Sequence, residues 1–365
     1  MKTLLALAFL TLTSLLTRAA DPVPTETVVM RTGRVIFSLN AGDAKNVQLR
    51  GQWQKEPIAL SRGEKGPWSV DVERVPAGVW EYSFVVDGLN VIDPGNPAIK
   101  PQRKPGKSIL HIPATPPAAW DWQDVPHGTV HTHSYLSKSL GKPREVVVYT
   151  PPGYELAPEK KYPLLVLQHG SGDNEKAWVA HGKAHWIFDN LIAQGKAKPF
   201  VVMMIDGHPL GQFPREQYEA RRAEAAAAFQ RELFEDALPL VDSLYRVEKD
   251  RMLRGIAGLS MGGGQALNTG LGNLDRFAWI GAFSAGGLST EAGERLLADP
   301  AAINGALRLL WIAVGQDDAA KARNEQFIAV LQEKGVKHEW RLTEGDHSWP
   351  VWRRYLAEFG PLLFR

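Results

Sequence analysis

Apolar and polar positions follow two different rhythms along the 365-residue chain. Between Thr27 and Ile112 the apolar residues come in short runs at 35–39, 47–50, 68–72 and 80–86, punctuated by Gly and Pro. Successive side chains of a strand point to opposite faces, so these runs predict a small antiparallel β-sandwich. Beyond residue 128 the rhythm changes. Apolar, β-prone runs at 144–149, 164–168, 200–205, 252–257, 277–283 and 309–314, with a last strand at 339–342, alternate with stretches of helical period at 186–194, 223–244, 265–271 and 324–334. Strands apolar on both faces and separated by helices predict a mostly parallel sheet covered on two sides.

The expected organisation is therefore an all-β unit at 21–112, a Pro-rich linker at 113–127 and an α/β unit at 128–365. The Pro-rich start of the linker, residues 113–119, is expected to be extended and semi-rigid. Residues 1–20 combine Lys2, an apolar run over 4–16 and small residues at Ala19 and Ala20, which predicts a secretory leader cleaved after Ala19 or Ala20. No later apolar stretch approaches the length of a membrane span, so the expectation is a secreted or periplasmic protein without a membrane anchor.

There is no cysteine, so neither a disulfide framework nor a lipoprotein anchor is available and stability must come from packed cores. Loss of Lys2 and Arg18 with the leader leaves 40 basic against 40 acidic side chains. Such a balance argues against nucleic acid or another polyanion as partner.

Candidate chemistry centres on Gly258-Leu-Ser260-Met-Gly262, where a predicted strand runs into a predicted helix. Gly-x-Ser-x-Gly in that setting is a nucleophile elbow: a strained turn exposes the hydroxyl, and glycines are needed where a β-carbon would collide. The helix that follows leaves its first N–H groups free, so the N–H of Met261 is a candidate oxyanion donor. A second donor is expected from the loop His169-Gly-Ser-Gly-Asp173, with the N–H of Ser171 first choice and Gly172 next.

A serine hydroxyl needs a base, and the base needs a group that fixes its tautomer. Of the ten histidines, His347 lies in a loop just after the last predicted strand, where it overhangs the carboxyl edge of the sheet. Two carboxylates, Asp317 and Asp318, follow the penultimate strand. Asp206, at the end of another strand, precedes the serine and reads as an organiser of its loop. The chemistry so assembled calls for no metal and no cofactor.

These residues resemble the first carbohydrate-esterase family, which contains feruloyl and acetyl xylan esterases and is related to esterase D and the enterochelin esterases. The likeness rests on His169-Gly170 with Trp178 downstream, on residues 196–207 and 234–247, on Ala257-Gly-Leu-Ser-Met-Gly-Gly263 and on Asp346-His-Ser-Trp-Pro-Val-Trp352. It implies an α/β-hydrolase fold over about 128–365. It also implies a Gly-x-x-Asp acid, which falls on Gly315 and Asp318, and substrate-binding roles for Trp178 and Trp349. The expected activity is hydrolysis of acyl groups, feruloyl first, on plant polysaccharide or its oligosaccharides. Acetyl xylan esterase, siderophore trilactone esterase and non-catalytic carbohydrate-binding protein are the alternatives.

The first unit is similar to the immunoglobulin-like sandwich modules of glycogen-branching enzymes, through Tyr82-Ser-Phe-Val-Val-Asp-Gly88 and Asp93-Pro-Gly-Asn-Pro97. Leu89 stands where such modules place a tryptophan. Trp53, Trp68 and Trp80 are weighed as sugar-stacking rings and read as core. This unit is expected to matter more for polymeric than for small soluble substrates.

Overall fold

The computed structural model describes residues 26–29, 33–64, 66–211 and 213–365. The expected leader lies outside them. Among the described residues no helix is long and apolar enough to cross a membrane.

The first unit holds β1 (Val28–Val29), β2 (Val35–Leu39), β3 (Val47–Gly51), β4 (Ile58–Ala59), β5 (Trp68–Val72), β6 (Gly78–Val86), β7 (Leu89–Val91) and β8 (Ser108–Ile112). They form two antiparallel sheets, β1-β2-β5 and β4-β3-β6-β7, with β8 paired to the other end of β6. The period-two pattern explains the shared core: Val35, Phe37 and Leu39 of β2 face Val47 and Leu49 of β3 and Tyr82 and Phe84 of β6. The Asp87-Gly88 turn between β6 and β7 takes positive φ at both positions, as a two-residue hairpin requires. Trp53, Trp68 and Trp80 all pack against this core, Trp53 stacked on Phe37 at 5.7 Å. Each of the three keeps part of its surface, and Leu89 is 73% exposed.

The second unit is one eight-stranded sheet. It contains β9 (Thr129–Ser137), β10 (Lys142–Thr150), β11 (Leu164–Gln168), β12 (Val201–Ile205), β13 (Arg254–Leu259), β14 (Trp279–Phe283), β15 (Leu309–Gly315) and β16 (Glu339–Thr343). Their order is β16-β15-β14-β13-β11-β12-β10-β9, parallel from β16 to β12 and antiparallel for β10 and β9. Around it lie α1 (Ala177–Ala180), α2 (Ala184–Ala193), α3 (Tyr218–Arg231), α4 (Leu238–Leu244), α5 (Met261–Gly272), α6 (Thr290–Leu296), α7 (Pro300–Ala306), α8 (Lys321–Glu333) and α9 (Trp349–Phe359). Each central strand feeds two cores: Leu164 and Val166 face the layer of α4, α5 and α8, while Leu165 and Leu167 face α1, α2 and α9. Full burial of β11 to β14 is what their unbroken apolar runs demand.

Two expectations change. The stretch expected as one helix over 223–244 contains a π-helical turn, Glu232–Ala237, ahead of α4. Pro239 in the first turn of α4 has no N–H to return to the preceding turn, and the wider turn accommodates it. The Pro-rich segment is not extended either. It turns around Asp121, 1% exposed, which accepts hydrogen bonds from the N–H groups of Ala114 and Ala118 and meets His111 at 2.7 Å. Asn190 of α2 then donates to the carbonyls of Ala119 and Asp121, each at 2.8 Å, so this segment is fastened to the second unit. A further tie comes from α9, where buried Arg353 donates to the carbonyl of Val79 in β6 at 2.6 Å and of His181 at 3.0 Å.

Candidate active site

Ser260 sits between β13 and α5 with φ 51° and ψ −116°, a conformation that side chains other than glycine rarely adopt. The flanking glycines make the turn possible. A β-carbon on Gly258 would lie 2.5 Å from the carbonyl of Gly262, and one on Gly262 would overlap the carbonyl oxygen of His169. The elbow is thereby pressed against the end of β11, where the loop 169–173 begins.

Two neighbouring strands deliver the partners. Gly315 ends β15 so close to Gly345 that a β-carbon would overlap the Gly345 carbonyl. The N–H groups of Gln316 and Asp317 donate to Thr343 and Gly345 at 2.7 and 3.0 Å, which locks the acid loop to the histidine loop. The result is a continuous chain of contacts. His347 Nε2 is 2.9 Å from Ser260 Oγ, and His347 Nδ1 is 2.9 and 3.0 Å from the two carboxylate oxygens of Asp318. The partner chemistry assigns the proton to Nδ1 and leaves Nε2 as acceptor of the serine hydroxyl. The Asp318 carboxylate has no exposed surface, while the His347 side chain keeps 36%. Burial works to raise the Asp318 pKa, but hydrogen bonds from His347, Ser284 and the Ala320 N–H outweigh it and hold the carboxyl below its usual range. Asp317 is exposed and lies away from the histidine contact.

Of the two expected donors, Met261 follows the serine directly, and Ser171 belongs to the loop whose Gly170 approaches Ser260. Met261 opens α5, so its N–H has no partner within the helix. The Ser171 N–H has no hydrogen-bond partner among the described residues, whereas the Gly172 N–H is occupied by His208 Nε2 at 3.0 Å. The nearby His169 is buried and bridges its own loop, Nδ1 to the Gly170 carbonyl at 2.7 Å and Nε2 to the Gly207 N–H at 2.8 Å.

With serine, imidazole and carboxylate in one line at the carboxyl edge of this sheet, kinship can be stated. Residues 137–361 match the Esterase family profile. The chain belongs to the Esterase family. Among its relatives is the endo-1,4-beta-xylanase/feruloyl esterase of Xylanibacter ruminicola, 30% identical over 352 residues, which cover 93% of this chain and 46% of that protein. The chain thus spans less than half the length of that relative. Endo-1,4-beta-xylanase Y of Acetivibrio thermocellus is 30% identical over 127 residues, 32% of this chain and 10% of that one. A solved ferulic acid esterase, 25% identical, superposes with a TM-score of 0.55 over 64% of this chain and 97% of its own. The enterobactin esterase of Shigella flexneri shares the fold, with a TM-score of 0.62 at 19% identity over 89% of this chain and 92% of its own.

The two tryptophans expected at the substrate are a correction. Trp178 and Trp349 are each 1% exposed and pack edge to face at 5.0 Å inside the core beneath the site. Trp178 Nε1 donates to the Gln168 carbonyl at 2.9 Å, which props the strand end from which the loop 169–173 departs. A motif shared by an esterase family can be there for packing, and the indole rings here are.

Sequence reasoning missed Ser284 and gave Trp352 no role of its own. Ser284 follows β14 with φ 52°, is 1% exposed, and accepts from Trp352 Nε1 at 3.0 Å while its hydroxyl supports Asp318. No local motif marks it; only a serine directly after a buried strand, beside the acid-bearing one, could have drawn attention.

Proposed function

We propose that this protein is a serine carboxylic-ester hydrolase that removes feruloyl groups from xylan or its fragments. The observation that carries the reading is the Ser260–His347–Asp318 line at the elbow that opens α5. Ser260 Oγ attacks the ester carbonyl carbon as its proton passes to His347 Nε2. Asp318 balances the imidazolium and holds its tautomer. The oxyanion forms between the N–H groups of Met261 and Ser171. His347 then protonates the departing sugar oxygen, releasing it as a hydroxyl, and a water deprotonated by His347 cleaves the feruloyl ester on Ser260. No step needs a metal or cofactor.

The acyl group and polymer are taken from the Xylanibacter ruminicola relative, whose name pairs xylanase with feruloyl esterase. The leader-like composition of residues 1–20 fits export to where such polymers are met.

Release of ferulate and of acetate from one arabinoxylan carrying both tests the acyl assignment. Ferulate is expected to dominate. Acetate released at the higher rate would make the enzyme an acetyl xylan esterase.

A further inference from the structure

Residues 100–103, on the connection from β7 to β8 in the first unit, lie against the loop 169–173 of the second. The Arg103 N–H donates to the Gly172 carbonyl at 2.9 Å, and Gln102 pairs with Asp173 as an isolated antiparallel bridge. Arg103 Nη1 also donates to Asp206 Oδ2 at 2.6 Å, and Lys100 Nζ joins Glu81 at 2.7 Å to Asp173 at 3.8 Å. The other side of the loop is held from within the second unit. Gly172 N–H donates to His208, whose own N–H donates to Asp206 Oδ1 at 2.9 Å. Gly172 is thus fixed through both of its peptide groups, one by each unit, immediately beside Ser171.

We propose that residues 100–103 are a positioning segment of the ester-hydrolysing site, fixing the Ser171 N–H for the oxyanion, with the Arg103 side chain acting through Asp206. This rests on the reading of Ser171 as oxyanion donor. Gly170 and Gly172 let the loop turn sharply, Gly172 with φ 87°, and glycines leave a free loop with many conformations. An oxyanion donor accelerates the reaction only when its place is set before charge develops. The second unit pins the loop through His169, His208 and Asp206; the first supplies the remaining contacts. Asp206 gathers the opposing forces, since it also receives Arg144 Nη1 at 3.1 Å, and Arg144 is anchored in turn on buried Glu232. The first unit therefore contributes to turnover of every ester, small soluble ones included.

The test uses the full chain with methyl ferulate, active sites being counted by titration with a fluorophosphonate. Arg103→Ala is expected to lower kcat per active site about tenfold with KM within about twofold, less than outright loss of an oxyanion donor would cost. Its affinity for phenylboronic acid, which becomes a tetrahedral anion on the serine, should weaken in parallel. Arg103→Lys should recover part of both losses. Arg34→Ala, which breaks an ion pair with Asp71 on the exposed face of the same unit, should match the unsubstituted enzyme. Unchanged kcat and boronate affinity in Arg103→Ala would overturn the proposal. So would a loss confined to the number of titratable sites, which reports folding alone. Ser260→Ala run beside them separates the two levels: if it still turns over substrate, the reading of the site fails and the proposal goes with it.

Discussion

Adjacent aspartates at 317 and 318 differ in every property that matters to a base-orienting group. Asp318 is buried and touches His347 Nδ1 with both oxygens; Asp317 is exposed and uses only its backbone N–H, on Gly345. Asp318→Asn should preserve the geometry while favouring the wrong imidazole tautomer, lowering kcat by on the order of 10³ to 10⁴. Asp317→Asn should leave kcat nearly unchanged and cost at most about 1 kcal/mol of stability. Steady-state kinetics and thermal melts of both variants check this, and inactivity of the Asp317 variant would move the acid by one residue. The resemblance, through its Gly-x-x-Asp pattern, is what pointed to Asp318 in the sequence; position after the penultimate strand alone left Asp317 and Asp318 equal. Ser284, which supports it from another strand, was not legible, because that contact depends on the order of strands in the sheet.

At the scale of elements, the β13–elbow–α5 unit explains why the serine could be read directly. Strand, strained turn and helix are contiguous in the chain, and each flanking glycine answers to one collision. The polar edge strand β9 escaped notice for the opposite reason: Thr, His and Ser dominate it, only one of its neighbours is a strand, and burial along it is slight. The tryptophans were misread because sequence cannot tell a ring that stacks on sugar from one that fills the space between α1 and α9. Trp178→Ala empties a fully buried site, so it is expected to cost about 3–5 kcal/mol and lower Tm, with KM for soluble esters moving little in the enzyme that still folds. A large rise in KM at unchanged Tm would return Trp178 to the substrate.

Over the whole molecule, buried histidines of the second unit make stability depend on pH on the acid side. Burial pushes His208 and His185 down to about 4 and His181 well below its ordinary value. An unfolded chain would protonate these rings as pH falls through ~6.5, while the folded chain resists, so their stabilising contribution is complete above ~6.5 and is lost towards pH 4. Asp173, pushed up to about 6 by burial, works in the opposite direction over the same window, favouring the folded state as pH falls. Burial lowers His111 and His131 as well and raises Glu175 like Asp173, so five rings against two carboxyls give a net loss and Tm is expected to fall between pH 7 and pH 4.5; a flat or rising Tm would mean the rings are not held neutral. The division into units was legible from the change of rhythm near residue 128, but their joining was not. Arg103 and Asp206 are 103 positions apart, and Arg353 reaches Val79 across 274. Long-range contacts of this kind replace the picture of a module set apart by an extended, semi-rigid linker with one in which the first unit touches the loop 169–173. The central claim remains that an acyl group passes through Ser260, and one measurement meets it directly. Enzyme mixed with a feruloyl ester, quenched in acid within the first turnovers and digested should carry the feruloyl mass on the peptide containing Ser260, and Ser260→Ala should carry none and release no ferulate. Feruloyl on another residue, or ferulate release by Ser260→Ala, would contradict the account.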